Sequence, residues 1–257
     1  KYDPATGDVT LYIASFSEIA IISDTNNAWE GNYDHSWYDA SKTNLVIANA
    51  DQLWSFSQIV GGMADGIEQD SFSGKTVTLI ADIDLGDKES ENNPDIIFYP
   101  IGYNSSDGKY EKTGVAVTTG FYNFCGTFDG NGHTISNFSH NTWEMKGDYN
   151  DGYPAGSNHY KDAMGLFGYV LNGTVKNLTV DNFSSDGEFT PTGVIAAYAA
   201  GDSTFENIAI TNCNPRVYNT GNGGIIGIAG DTSASNDDHI TLKNITVDNS
   251  NMISALW

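Results

Sequence analysis

GTVKNLTVDN from Gly173 to Asn182, TFENIAITN from Thr204 to Asn212 and TLKNITVDN from Thr241 to Asn249 are three versions of one phrase, and they decide how the chain folds. Each carries an asparagine (Asn177, Asn207, Asn244) with an apolar residue two positions before it (Val175, Phe205, Leu242) and another directly after it (Leu178, Ile208, Ile245). Each then runs in step through Val180, Ile210 or Val247 to a second asparagine, Asn182, Asn212 or Asn249. A fourth version, HTISNFS from His133, aligns on Asn137 between Ile135 and Phe138 and departs afterwards, showing His140 and Thr142. On that alignment Asn137, Asn177, Asn207 and Asn244 follow one another at 40, 30 and 37 residues. A second phrase precedes the later copies: GLFGYV from Gly165, GVIAAY from Gly193 and GIIGIA from Gly224.

A unit of roughly 30 residues with at least two strands cannot bury both faces of its own sheet, so copies must stack on one another. Short strands with turns at the same place in every copy predict an all-β parallel solenoid, equivalent residues lying about 4.8 Å above each other. In that arrangement Asn137, Asn177, Asn207 and Asn244 are expected to hold corners that need unusual backbone angles. They are also expected to hydrogen-bond along the axis as a structural ladder.

The pattern weakens upstream. In KTVTLIADIDLG, from Lys75 to Gly86, Val77, Leu79, Ala81, Ile83 and Leu85 alternate with Thr76, Thr78, Ile80, Asp82 and Asp84, the period of a strand with one buried face. Asp82 and Asp84 are then expected outside, as a solvated edge in preference to a catalytic or calcium-binding pair. Between 49 and 62 the period becomes helical: Leu53, Phe56, Ile59 and Val60 share a face, Asn49 or Asp51 can cap the start, and Gly61-Gly62 can end it. This is expected to be a short helix capping the N-terminal end of a solenoid that occupies 29–257, with 1–28 an added strand segment or arm. No polar cap follows the last repeat, so that coil is expected to continue into a longer protein or to dock on another copy or domain.

Charge narrows the partners. With 11 basic and 33 acidic residues the net charge is −22, which excludes a basic face for nucleic acid. The 28 Gly and 26 Asn predict many turns, and 39% hydrophobic residues argue against disorder. No apolar run approaches the roughly 20 residues of a membrane-spanning helix. The opening KYDPATG is that of a mature secreted chain or a processed fragment. Cys125 and Cys213 are too few for a disulfide framework or a zinc site; whether they pair stays open. No cofactor is expected, calcium being the one ion the acidity allows.

FCGTFDGNGHTIS from Phe124 to Ser136, followed by GLFGYVLNGTVKNLTV from Gly165 to Val180, closely resembles the GLUG-type repeats of large bacterial surface proteins. WEGNYDHSWYD at 29–39, FSGKTVTLIADIDLG at 72–86 and YPIG at 99–102 occur in the same order in such proteins, so the resemblance spans about residues 29 to 250. It implies a right-handed parallel β-helix in an exported, adhesin-like protein, secreted or at the cell surface. It carries over no catalytic residue, because the motif is made of structural glycines and asparagines.

Enzymatic chemistry finds little footing. A polysaccharide lyase needs a strong base, and the chain has one arginine, Arg216. A hydrolase needs two carboxylates about 5 to 9 Å apart; Asp129, Asp181 and Asp237-Asp238-His239 are the candidates, and none is singled out by its neighbours. HExxH and GxSxG are absent. The most unusual stretch is the insertion from Asn141 to Met164, where Trp143, Tyr149, Tyr153, His159 and Tyr160 stand among acids and amides on an expected side loop. Such aromatics suit sugar rings or a protein partner. The leading expectation is a non-catalytic module that displays loops to host or carbohydrate ligands. The alternatives are a polysaccharide hydrolase and a component of a phage or extracellular fibre.

Overall fold

The computed structural model describes residues 2–3, 8–9, 31–86, 98–102, 122–141, 163–188, 191–218, 222–230 and 238–255. Strands β1 (Tyr2–Asp3) and β2 (Asp8–Val9) pair antiparallel. The rest of the expected arm lies outside the described residues. Then come β3 (Asn44–Ile47), α1 (Ala50–Val60), β4 (Thr76–Leu79), β5 (Ile83–Asp84), β6 (Thr127–Asp129) and β7 (Thr134–Asn141). They are followed by β8 (Phe167–Leu171), β9 (Thr174–Glu188), β10 (Thr192–Ala200), β11 (Thr204–Thr211), β12 (Asn214–Tyr218), β13 (Asn222–Ala229), β14 (Thr241–Asp248) and β15 (Ile253–Ala255).

The structure is strand-rich, with one helix among the described residues, and from β3 onward its strand pairs are parallel. One sheet runs β14-β11-β9-β6-β4-β3, a second β13-β10-β8, and β5, β7, the far half of β9, β12 and β15 pair in a third file. The repeated phrases lie residue on residue: Phe205 pairs with Val175 and Leu242, Ile208 with Leu178 and Ile245, Ile210 with Val180 and Val247. Alternation sends these side chains inward. The column Leu45, Val77, Phe128, Val175, Phe205 is buried along its length. A parallel column of Ile83, Ile135, Val180 and Ile210 is buried as well.

One expected alignment differs in the structure. Asn137 does not belong with Asn177: Ile135 pairs with Val180, Ser136 with Asp181 and Phe138 with Phe183, so Asn137 stacks with Asn182. The counterpart of TVKN is TFDG at 127–130, and the corner between β6 and β7 is two residues wider than in β9. The unit has two asparagine corners five residues apart, so one asparagine fits either register. In the second phrase, a bulge between Gly193 and Ala196 lets Ala196 pair with both Phe167 and Ile226. Gly193 and Gly224 themselves pair, and the shift follows them.

The α1 segment forms where the period changed. Asn49 Oδ1 accepts the Gln52 N–H at 3.0 Å, and Gln52 Oε1 accepts the Ala48 N–H at 2.8 Å, satisfying donors at the helix start. Gly62, with φ +67°, turns the chain away after Gly61. Burial goes further round the helix than an amphipathic stripe predicts, because Ser55 and Ser57 are buried too. Ser57 Oγ donates to the Tyr99 carbonyl at 2.7 Å, and Ser55 Oγ contacts His35 Nδ1 and accepts from Trp37 Nε1 at 3.2 Å. Phe56 packs between Phe72, Phe124 and Phe128, with ring centroids 4.8 to 5.9 Å away.

Candidate functional site

Ten non-glycine residues have positive φ among the described residues, and nine are asparagines. A left-handed corner costs most side chains about 1–2 kcal/mol, which asparagine reduces by local hydrogen bonding. Those corners bring the amides of successive turns of chain into files. In the first, Nδ2 of Asn244 donates to Oδ1 of Asn207, Asn207 to Asn177, and Asn177 to the carboxylate of Asp129, each at 2.9 Å. In the second, Asn182 donates to Asn137 and Asn137 to Asp84, both at 2.8 Å. Above that step Asn212 donates to Asp181 at 2.6 Å, and Asn249 donates to Asn212. Every amide points its N–H toward the preceding turn, and each file starts on an aspartate that accepts without having to donate.

The residue before each corner of the first file forms a second column whose charges alternate. Register places Asp129, Lys176, Glu206 and Lys243 side by side. Lys176 Nζ lies 3.3 Å from Asp129 and Lys243 Nζ 2.6 Å from Glu206. The sequence carries this signal openly in TFDG, TVKN, TFEN and TLKN, read at the third position of each.

The carboxylates offered for hydrolysis are held in these networks. Burial raises the Asp129 carboxyl, but Asn177, the Asn131 N–H and Lys176 outweigh it and hold it below the usual range. Asp181 accepts from Thr211 and Asn212, Asp82 from the Thr134 N–H at 2.9 Å, and Asp84 from Asn137 and the Gly86 N–H. Asp238 accepts the Gly201 N–H at 2.8 Å and His239 lies 3.2 Å from Asp202, tying this segment to the turn below it; Asp237 lies outside the described residues. Ser55 touches His35, yet its hydroxyl is buried and shared with Trp37, which leaves no path for a substrate carbonyl. Among the described residues no group of three or more His, Cys, Asp or Glu side chains is placed to hold a metal ion.

Cys213 is buried, which pushes its thiol up to about 11, and Cys125 is half-buried; both are free. His140 is fully buried. Its Nε2 lies 2.8 Å from the Phe98 carbonyl and its Nδ1 accepts the Gly165 N–H at 3.1 Å, so the neutral ring fastens two segments, and burial lowers its pKa to about 4.

Outside the first file runs a shallow groove of about 370 Å³, lined by Asn177, Asn207, Asn244, Thr179, Ala209 and Thr246, with Gly132, Leu178 and Ile208 completing it. It offers amide and hydroxyl groups at a regular rise, and none of its lining residues is titratable. It is suited to holding neutral polyols or amides and lacks the acid or base that bond cleavage needs. Trp143, Tyr149, Tyr153, His159 and Tyr160 lie outside the described residues.

No protein-family model, curated protein or solved structure matches the chain. Among the described residues no helix is long and apolar enough to cross a membrane.

Proposed function

We propose that the chain is a right-handed parallel β-helix serving as a non-catalytic module of an exported bacterial surface protein of the GLUG-repeat, adhesin-like kind, secreted or held at the cell surface. In this reading the coils are a stiff scaffold, and the side loops, with the threonine and amide groove, meet a host glycan or protein. The observation that carries it is the engagement of Asp84, Asp129 and Asp181 as acceptors for asparagine amides, beside a groove without a titratable lining residue. The residue-on-residue stacking of three phrases supports the solenoid, and the acidic surface suits exported, soluble display.

Glycan-array and mucin-binding measurements on the full chain test this reading. Binding to at least one glycan class, weakened by Trp143→Ala or Tyr153→Ala, is the expected result. Binding unchanged in both variants removes the 141–164 loop from the account. Release of new reducing ends from a polysaccharide, abolished by Asp129→Asn or Asp181→Asn, overturns the non-catalytic reading.

A further inference from the structure

The apolar columns are covered along their length and open at one end. Phe205, Ile208 and Ile210 are buried, yet Leu242 and Val247, stacked directly on Phe205 and Ile210, are 50% and 47% exposed. Among the described residues nothing pairs with the outer edges of β13, β14 or β15. An apolar face flanked by unpaired strand edges is a template for strand addition.

The polar columns specify what fits there. Lys243 ends the alternating column, and among the described residues its opposite charge lies below it, in Glu206. The next member of the series is therefore acidic. Asn244 and Asn249 each turn the amide nitrogen to the turn below and donate one N–H there, and among the described residues nothing donates to their Oδ1 atoms. They ask for amide donors from above. The same face of a second copy cannot supply them, since it would set oxygen against oxygen and lysine near lysine. The opposite end of a second copy fails too: its column begins at Val46 and Thr78, and its amide files stop at Asp84 and Asp129.

We infer that this face docks one more parallel coil, contributed by a partner polypeptide with an acidic side chain over Lys243 and asparagines over Asn244 and Asn249. The inference rests on the solenoid reading, which spin-label distances between coils test separately.

The probe is a fluorescently labelled peptide TFENIAITN, the sequence of residues 204–212, because alternation gives the strand above β14 the same requirements as the strand below it. Anisotropy with the full chain is expected to show binding about fivefold tighter than that of the peptide carrying Glu206→Lys. With the Lys243→Glu chain the order is expected to invert. Equal affinity of the two peptides, or no binding of TFENIAITN at about 1 mM, overturns the inference. So does a dimer in sedimentation velocity that Lys243→Glu dissociates, since the occupant is then a second copy. If the spin-label spacing holds while the peptide fails, the docking face alone is wrong; if the spacing fails, the solenoid reading goes first.

Discussion

Asn207 carries two separate burdens, a left-handed backbone and two amide hydrogen bonds, and substitutions can divide them. Asn207→Gly keeps the backbone geometry and loses the ladder contacts, so urea unfolding should show a loss of about 1–2 kcal/mol. Asn207→Ala adds the cost of a left-handed alanine, roughly 1 kcal/mol more. Equal losses would mean that the corner imposes no backbone demand. His140 gives a pH dependence with a definite sign. Its folded pKa of about 4 lies below the unfolded value near 6.5, so the stabilisation is complete above 6.5 and is lost as pH falls toward 4. The full effect is on the order of 3 kcal/mol, and burial of His35 acts in the same direction. Unfolding midpoints at pH 7 and pH 5 should fall for the natural chain, and fall less for His140→Gln, which starts lower because it loses the packed ring.

At the scale of elements, the sheet of β8, β10 and β13 is limited by how closely neighbouring backbones pass. A Cβ on Gly193 would lie 2.3 Å from the Ala196 carbonyl oxygen and 2.6 Å from the Gly227 nitrogen, and backbone cannot swing aside as a side chain does. Gly193→Ala should therefore destabilise by about 2–3 kcal/mol or more in chemical denaturation, whereas Gly66→Ala meets no atom within 4 Å and adds only the strain of positive φ. Much of this organisation was legible in the sequence. The period change at 49–62 located α1, and the alternation in KTVTLIADIDLG located β4 and β5 but read them as one strand, missing the break at 80–82 because the alternation runs through it unchanged. The first corner is misplaced because one apolar-asparagine-apolar signature serves both corners of the β9 unit, at Asn177 and at Asn182. The tie-breaker was present: Asn-Phe-Ser follows at both Asn137 and Asn182, and the shared phenylalanine is the pair Phe138–Phe183, with centroids 4.8 Å apart. The buried second side of α1 was hidden because its partners, His35 and Trp37 at Ser55 and the Tyr99 carbonyl at Ser57, come from segments with no periodicity of their own.

For the whole molecule, the candidate site was legible in type and not in location. Stacked asparagines were readable because a repeating corner demands one residue type. The groove outside them depends on which side chains flank the corner after folding, and no local pattern encodes that. The alternating charges matter at this scale too, since a slip of one turn would place like charges together along Asp129, Lys176, Glu206 and Lys243. Successive turns of chain must rise by one strand spacing in register for these columns to form. The outward column Asn44, Thr76, Thr127, Thr174, Thr204, Thr241 provides a ruler for it. Nitroxides attached to Asn44→Cys paired in turn with Thr174→Cys, Thr204→Cys and Thr241→Cys, with Cys125→Ser and Cys213→Ala in the background, can be measured by electron spin resonance. Backbone separations of about 14, 19 and 24 Å, rising by about 4.8 Å per coil, are the predicted result; distances that fail to increase in that order would contradict the stacked-coil architecture.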